Sequence, residues 1–131
     1  MNGKIVRKNP ETMPSPVGNY TQITRVPKNA ELIVTSGQIG VDKQGNIPED
    51  FNEQVKQTFN NIKSVLETEK ISSGHIIKVN IWATESIDWD FLYSEWDALF
   101  QSEYPAMTIG YISELGLPDI KIEMEIWAAE I

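Results

Sequence analysis

Between Ile120 and Ala128 the chain alternates, with Ile120, Ile122, Met124 and Ile126 in one phase and Lys121, Glu123, Glu125 and Trp127 in the other. A period of two fits an extended strand with one face on a core. Such a strand needs neighbouring strands and a cover, so this segment excludes an all-helical chain. Trp127 breaks the rule for the outward phase. Trp82 does the same in an earlier strand, Ile76 to Ala83, where Ile77, Val79, Ile81 and Ala83 share the other phase.

The cover for the inward phase is legible. Phe51, Val55, Phe59, Ile62 and Leu66 recur at steps of three and four, which lays one apolar stripe along a helix from about Asp50 to Glu69. Glu53, Lys56, Asn60, Lys63 and Glu67 occupy its opposite side. A second helix runs from about Trp89 to Phe100, with Trp89, Leu92, Trp96 and Leu99 on one side and Asp88 as its cap.

Further strands are expected at Lys4 to Arg7, Tyr20 to Arg25, Glu31 to Ser36 and Ala106 to Ile112. The β-branched, apolar Glu31 to Ser36 reads as a buried strand. Pro10, Pro14, Pro16 and Gly18 make Asn9 to Asn19 a crossing loop, and turns fall at Val26 to Ala30 and Val41 to Asn46. The order strands, helix, strand, helix, strands predicts a single α+β domain over residues 1–131, a mixed sheet with two helices on one face. Large aromatics in the outward phase predict that the other face is covered too. In so short a chain the cover is a second copy, so a homo-oligomer is expected.

Composition narrows the function. Net charge is −8, and the arginines are Arg7 and Arg25, so the chain lacks the clustered cations that a phosphate backbone requires. No nucleic-acid partner is expected. No apolar run approaches 18 residues, which argues against a membrane partner. Met1 to Arg7 lacks the apolar core of a secretory signal, making a cytoplasmic protein the expectation. There are no cysteines, hence no thiolate nucleophile and no disulfide. No His/Asp/Glu spacing suits a metal and no glycine-rich loop suits a phosphate, so neither metal nor cofactor is expected. His75, in the Ser72 to His75 loop, reads as a surface residue without a proton-transfer partner.

Several segments together resemble the Rid (reactive intermediate deaminase, or YjgF) family. They are Pro16-Val17-Gly18-Asn19-Tyr20-Thr21-Gln22, Ser36-Gly37-Gln38-Ile39-Gly40, the helix bearing Gln54, Thr58, Asn61 and Leu66, and Ile77-Lys78-Val79-Asn80-Ile81. Tyr104-Pro105-Ala106-Met107-Thr108 and Leu117-Pro118 with Lys121-Ile122-Glu123-Met124-Glu125 complete the set. The resemblance implies a chorismate-mutase-like fold and a homotrimer with clefts between subunits. It also implies cofactor-free hydrolysis of enamine or imine intermediates to 2-oxo acids and ammonia. The same resemblance marks Tyr20 and Glu123 as catalytic candidates. It marks Gly37, Gln38, Ile39, Tyr93, Met107 and Ile109 as contacts for a small-molecule ligand.

Each carried-over residue also has a structural reading. Tyr20 can be a packed aromatic, Gly37 a strand terminator, and Glu123 part of a charged strand face with Lys121 and Glu125. Tyr93 stands near a position where the family often has asparagine. The largest departure is Met107, where the family's deaminases carry an arginine that grips the substrate carboxylate. A thioether offers no charged donor. Losing a charge-assisted pair of about 1.5–3 kcal/mol should weaken recognition by roughly 10- to 100-fold. Three functions remain: a hydrolase or deaminase for a substrate without a free carboxylate, a non-catalytic trimeric module binding a metabolite, and a partner-binding protein of the translation-inhibitor or endoribonuclease kind. Acidity makes the nuclease version the least attractive.

Overall fold

The computed structural model describes residues 3–131, so the start of the Met1 to Arg7 segment lies outside the described residues. The last strand, β7 (Ile122–Glu130), organises the sheet. It pairs antiparallel with β3 (Glu31–Val34), β4 (Gln38–Ile39) and β5 (Ile76–Ala83), and β5 then pairs in parallel with β6 (Ala106–Tyr111). A parallel pair needs a crossover, and α2 (Trp89–Phe100) provides it between β5 and β6. A separate hairpin of β1 (Val6–Lys8) and β2 (Ile23–Arg25) docks where β5 begins. There the Thr24 hydroxyl donates to the Ile77 carbonyl at 3.0 Å, and Arg7 Nη2 donates to the Gly74 carbonyl at 2.8 Å.

Both helices lie on one face. Val55, Phe59, Ile62 and Leu66 of α1 (Phe51–Glu69) pack with Leu92, Trp96 and Phe100 of α2 against Val79, Ile81, Ile122, Met124 and Ile126. Asp50 and Asp88 cap the helices, accepting from the Glu53 and Phe91 amides at 3.0 and 3.2 Å. Lys70 closes α1 in the left-handed region, at φ 58°. Among the described residues no helix is long and apolar enough to cross a membrane.

Several expectations need correction, among them the strand at Tyr20 to Arg25, which is extended only over Ile23–Arg25. Glu31 to Ser36 is not a buried strand, because Leu32 and Val34 are 54% and 49% exposed on the face that carries Trp127, which is itself exposed. Apolar composition matches a strand with two covered faces, and within one chain only the Ile33 side meets the core. In β5 the inward residue is Ile76 rather than Ile77, since an irregularity between Ile76 and Lys78 resets the phase. The last strand begins at Ile122 because the Ile120 amide turns back to the Leu117 carbonyl at 3.1 Å. Trp82 does lie in the outward phase, with its ring over Gly110 of β6, where a Cβ would come within 2.6 Å of it. His75 is half-buried, and its Nδ1 accepts from the Ser72 amide at 3.0 Å.

Gln54 is a polar residue wholly inside this core. Its Nε2 donates to the carbonyls of Pro48 and Asp119, both at 2.8 Å, while its Oε1 accepts from the Lys121 amide at 2.9 Å. One side chain thus ties the loop before α1 to the turn before β7. Asn61 does the same for the segment around β4, donating to the Ile39 and Val41 carbonyls at 2.8 and 2.9 Å. Buried backbone groups without partners cost about 1–3 kcal/mol each. Gln54→Leu is therefore expected to lower unfolding free energy by roughly 3 kcal/mol in urea titration, and a loss under about 1 kcal/mol would contradict this role.

Candidate functional site

The residues singled out in the sequence fall into two groups. Tyr20, Tyr93, Met107 and Ile109 come together with Val17, Gly18 and Trp89 around a hollow of about 360 Å³ at the β6 edge. Met107 and Ile109 face the helix side of the sheet, as their pairing with Val79 and Ile81 requires. Trp89 and Tyr93 stand one helical turn apart on α2 and so share a face, with ring centroids 5.2 Å apart.

The loop closing this hollow is held by a polar network that the sequence did not reveal. Trp96 Nε1 donates to the Asn19 carbonyl at 2.7 Å, and Asn19 Nδ2 donates to Asp97 at 2.9 Å. Tyr104 donates its phenol to the same Asp97 oxygen at 2.8 Å, and that bond, with the adjoining carboxylate charge, pushes the Tyr104 pKa up. The Asn19 amide donates to the Tyr93 phenol oxygen at 3.2 Å, and the Val17 amide to that of Tyr20 at 3.1 Å. Each of these phenols thereby accepts a backbone N–H and keeps its own proton for another acceptor. Among the described residues none that lines the hollow is charged.

Gly37, Gln38, Ile39 and Glu123 form the second group. Ile39 pairs with Glu123 across β4 and β7, and Gln38 with Met124. A Cβ on Gly37 would run into the Glu123 carboxylate, so glycine lets that side chain lie against the backbone. Glu125 accepts from Asn80 Nδ2 at 2.8 Å, whereas the Glu123 carboxylate takes no hydrogen bond from the described residues. Burial, and secondarily the charge of Glu125, raise the Glu123 pKa above its ordinary value of 4.5. Glu123 sits opposite Trp82 on the helix-free face, two interstrand steps (roughly 10 Å) from β6. The fold of one chain does not bring it to Met107.

Among the described residues, no lysine or arginine lines the hollow beside Met107. Lys121 Nζ donates to the Glu49 carbonyl at 2.6 Å, and Lys78 donates to Thr108 at 2.8 Å on the opposite face.

A mixed sheet covered on one side by two helices, with a neutral hollow at its edge, defines a small α+β class. The chain belongs to the Endoribonuclease L-PSP (Rid) family, whose pattern residues 10–130 match. It is 29% identical to the 2-iminobutanoate/2-iminopropanoate deaminase of Salmonella typhimurium over 88% of this chain and 90% of that protein. The crystal structure of a Rid-family protein of unknown function from Yersinia pestis superposes with a TM-score of 0.82 at 18% identity, covering 96% of this chain and 98% of that one. Escherichia coli TdcF, crystallised with bound serine, matches at TM-score 0.69 and 30% identity over 90% of this chain and 93% of its own.

A glutamate whose folded pKa is raised binds protons more tightly in the folded state than in the unfolded one. Stability is then lost as pH rises from the ordinary glutamate range through the raised value. Glu123→Gln is expected to raise Tm at pH 7, with the gain disappearing below about pH 4. Equal melting of the two proteins at pH 7 would contradict the shift.

Proposed function

We propose that the protein is a hydrolase of the deaminase type, acting on imines or enamines that carry no free carboxylate, in a cleft between identical copies. The observation that carries this reading is the neutral wall at Met107. An arginine there would pair with a carboxylate, while a thioether among aromatic rings suits a ligand without one. A carboxylate entering this hollow would lose hydration without gaining a charged partner.

The chemistry is redox-neutral and balances with water alone: an imine and one water give a carbonyl compound and ammonia. Glu123 from the adjoining copy takes a proton from water as the oxygen bonds to the imine carbon. Glu123 passes that proton to the nitrogen to give the carbinolamine, then moves the hydroxyl proton to the same nitrogen, so that ammonia leaves as the carbonyl forms and the carboxylate is restored. A carboxylate with a raised pKa is the better base for that step. The free phenol protons of Tyr20 and Tyr93 are placed to donate to a ligand heteroatom. Gly37, Gln38 and Ile39 position Glu123 and offer backbone groups at the cleft.

Bringing Met107 and Glu123 together requires two different surfaces of adjacent copies to meet. Such heterologous contacts repeat around a ring, and three copies is the number that the family likeness implies. The bare face with Trp127, Leu32 and Val34 supplies apolar area for such an assembly. The family's deaminase relatives support the class of reaction.

The test is ammonia release from enzymatically generated 2-iminopropionate by the native protein and by Met107→Arg. Native turnover is expected to be weak, with the variant gaining roughly 10- to 100-fold in kcat/KM. Strong native turnover would overturn the role given to Met107. Two inert proteins, with no ammonia release from a carboxylate-free imine either, would remove the deaminase reading in favour of a binding role.

A further inference from the structure

We infer that the ligand held beside Met107 is a cation, an ammonium or protonated iminium, gripped by aromatic rings rather than by a counter-charge in the same chain. This deepens the functional reading above and rests on it for the location of the ligand. The hollow carries three aromatic rings, those of Tyr20, Trp89 and Tyr93, with Val17, Met107 and Ile109 as its other apolar side chains. Tryptophan and tyrosine faces attract cations, and most strongly where water is excluded. Recognition of alkylated ammonium groups by clustered rings uses the same physics.

The surroundings carry the matching sign. From Asp88 to Phe100 the helix segment bears Asp88, Asp90, Glu95 and Asp97 and no lysine or arginine. The N-terminus of α2 would by itself repel a cation near Trp89, but Asp88 caps it and Asp90 lies in its first turn. Asp97, one turn beyond Tyr93, accepts from Asn19 and Tyr104 and is held in place by them. Strand β6 carries no charged residue, and Lys78 reaches Thr108 on the far side of the sheet. The chain's net charge of −8 adds a long-range attraction of the same sign. A neutral apolar ligand would fit the wall equally well but would draw nothing from this field.

The discriminating experiment compares choline with its uncharged carbon analogue, 3,3-dimethylbutan-1-ol, by calorimetric titration of the full chain in its native assembly. The two probes share shape and hydroxyl and differ in charge. Choline is expected to bind about tenfold more tightly, and Trp89→Leu to bring the two within about twofold. Circular dichroism confirms that the variant is folded. Equal affinities, tighter binding of the alcohol, or no choline binding would each overturn the inference. So would a choline preference that survives Trp89→Leu in a folded protein. Binding of the alcohol at equal strength would leave a neutral ligand in the hollow and the Met107 reading intact, so the two failures are distinguishable.

Discussion

Strand β7 is the constraint on which the rest of the molecule depends. Its inward residues Ile122, Met124, Ile126 and Ala128 are buried under the helices, while three other strands hydrogen-bond along its two edges. A shift of one residue in its register would turn that apolar row outward and Glu123 and Glu125 inward. The alternation therefore fixes which face the helices cover. It also fixes the face on which Glu123 emerges beside Gly37. The position of the candidate base is a consequence of the core rather than of the loops.

Loop placement depends on polar side chains buried where apolar ones would be expected. Gln54 joins the segment before α1 to the turn before β7, and Asn61 holds the segment around β4 that ends in the Gly37 to Ile39 group. On the opposite edge Asn19, Asp97, Tyr104 and Trp96 fix the loop over Tyr93 and Met107. These clamps act at both halves of the candidate site. They supply rigidity that short strands such as the two-residue β4 do not supply themselves.

The helices were legible because their apolar stripes are long, and Asp88 caps the second at the expected place. The outward tryptophans were legible by phase. What the sequence concealed has definite causes. Composition marks Leu32 and Val34 as apolar but cannot say which neighbour covers them. An irregularity in β5 transfers the core position from Ile77 to Ile76 with no distinctive residue at the break. Gln54 lies in the apolar phase next to Val55, a sign of a buried clamp, but its partners are distant backbone groups that no local pattern reveals. The candidate residues were named one by one, through likeness to a family, and their division into two groups was not legible. That division arises from sheet topology, which puts Met107 on an edge strand and Glu123 on an inner one, on opposite faces.

The account turns on those two groups meeting between copies. The natural chain has no cysteine, so a Met107→Cys/Glu123→Cys variant carries thiols at these two positions alone. Treatment with a short bis-maleimide, followed by denaturing electrophoresis, reads their proximity directly. Inter-chain ladders ending at three linked chains, absent from either single-cysteine variant, are the predicted result. A band of single chains throughout, from protein that is otherwise folded, would contradict a shared cleft.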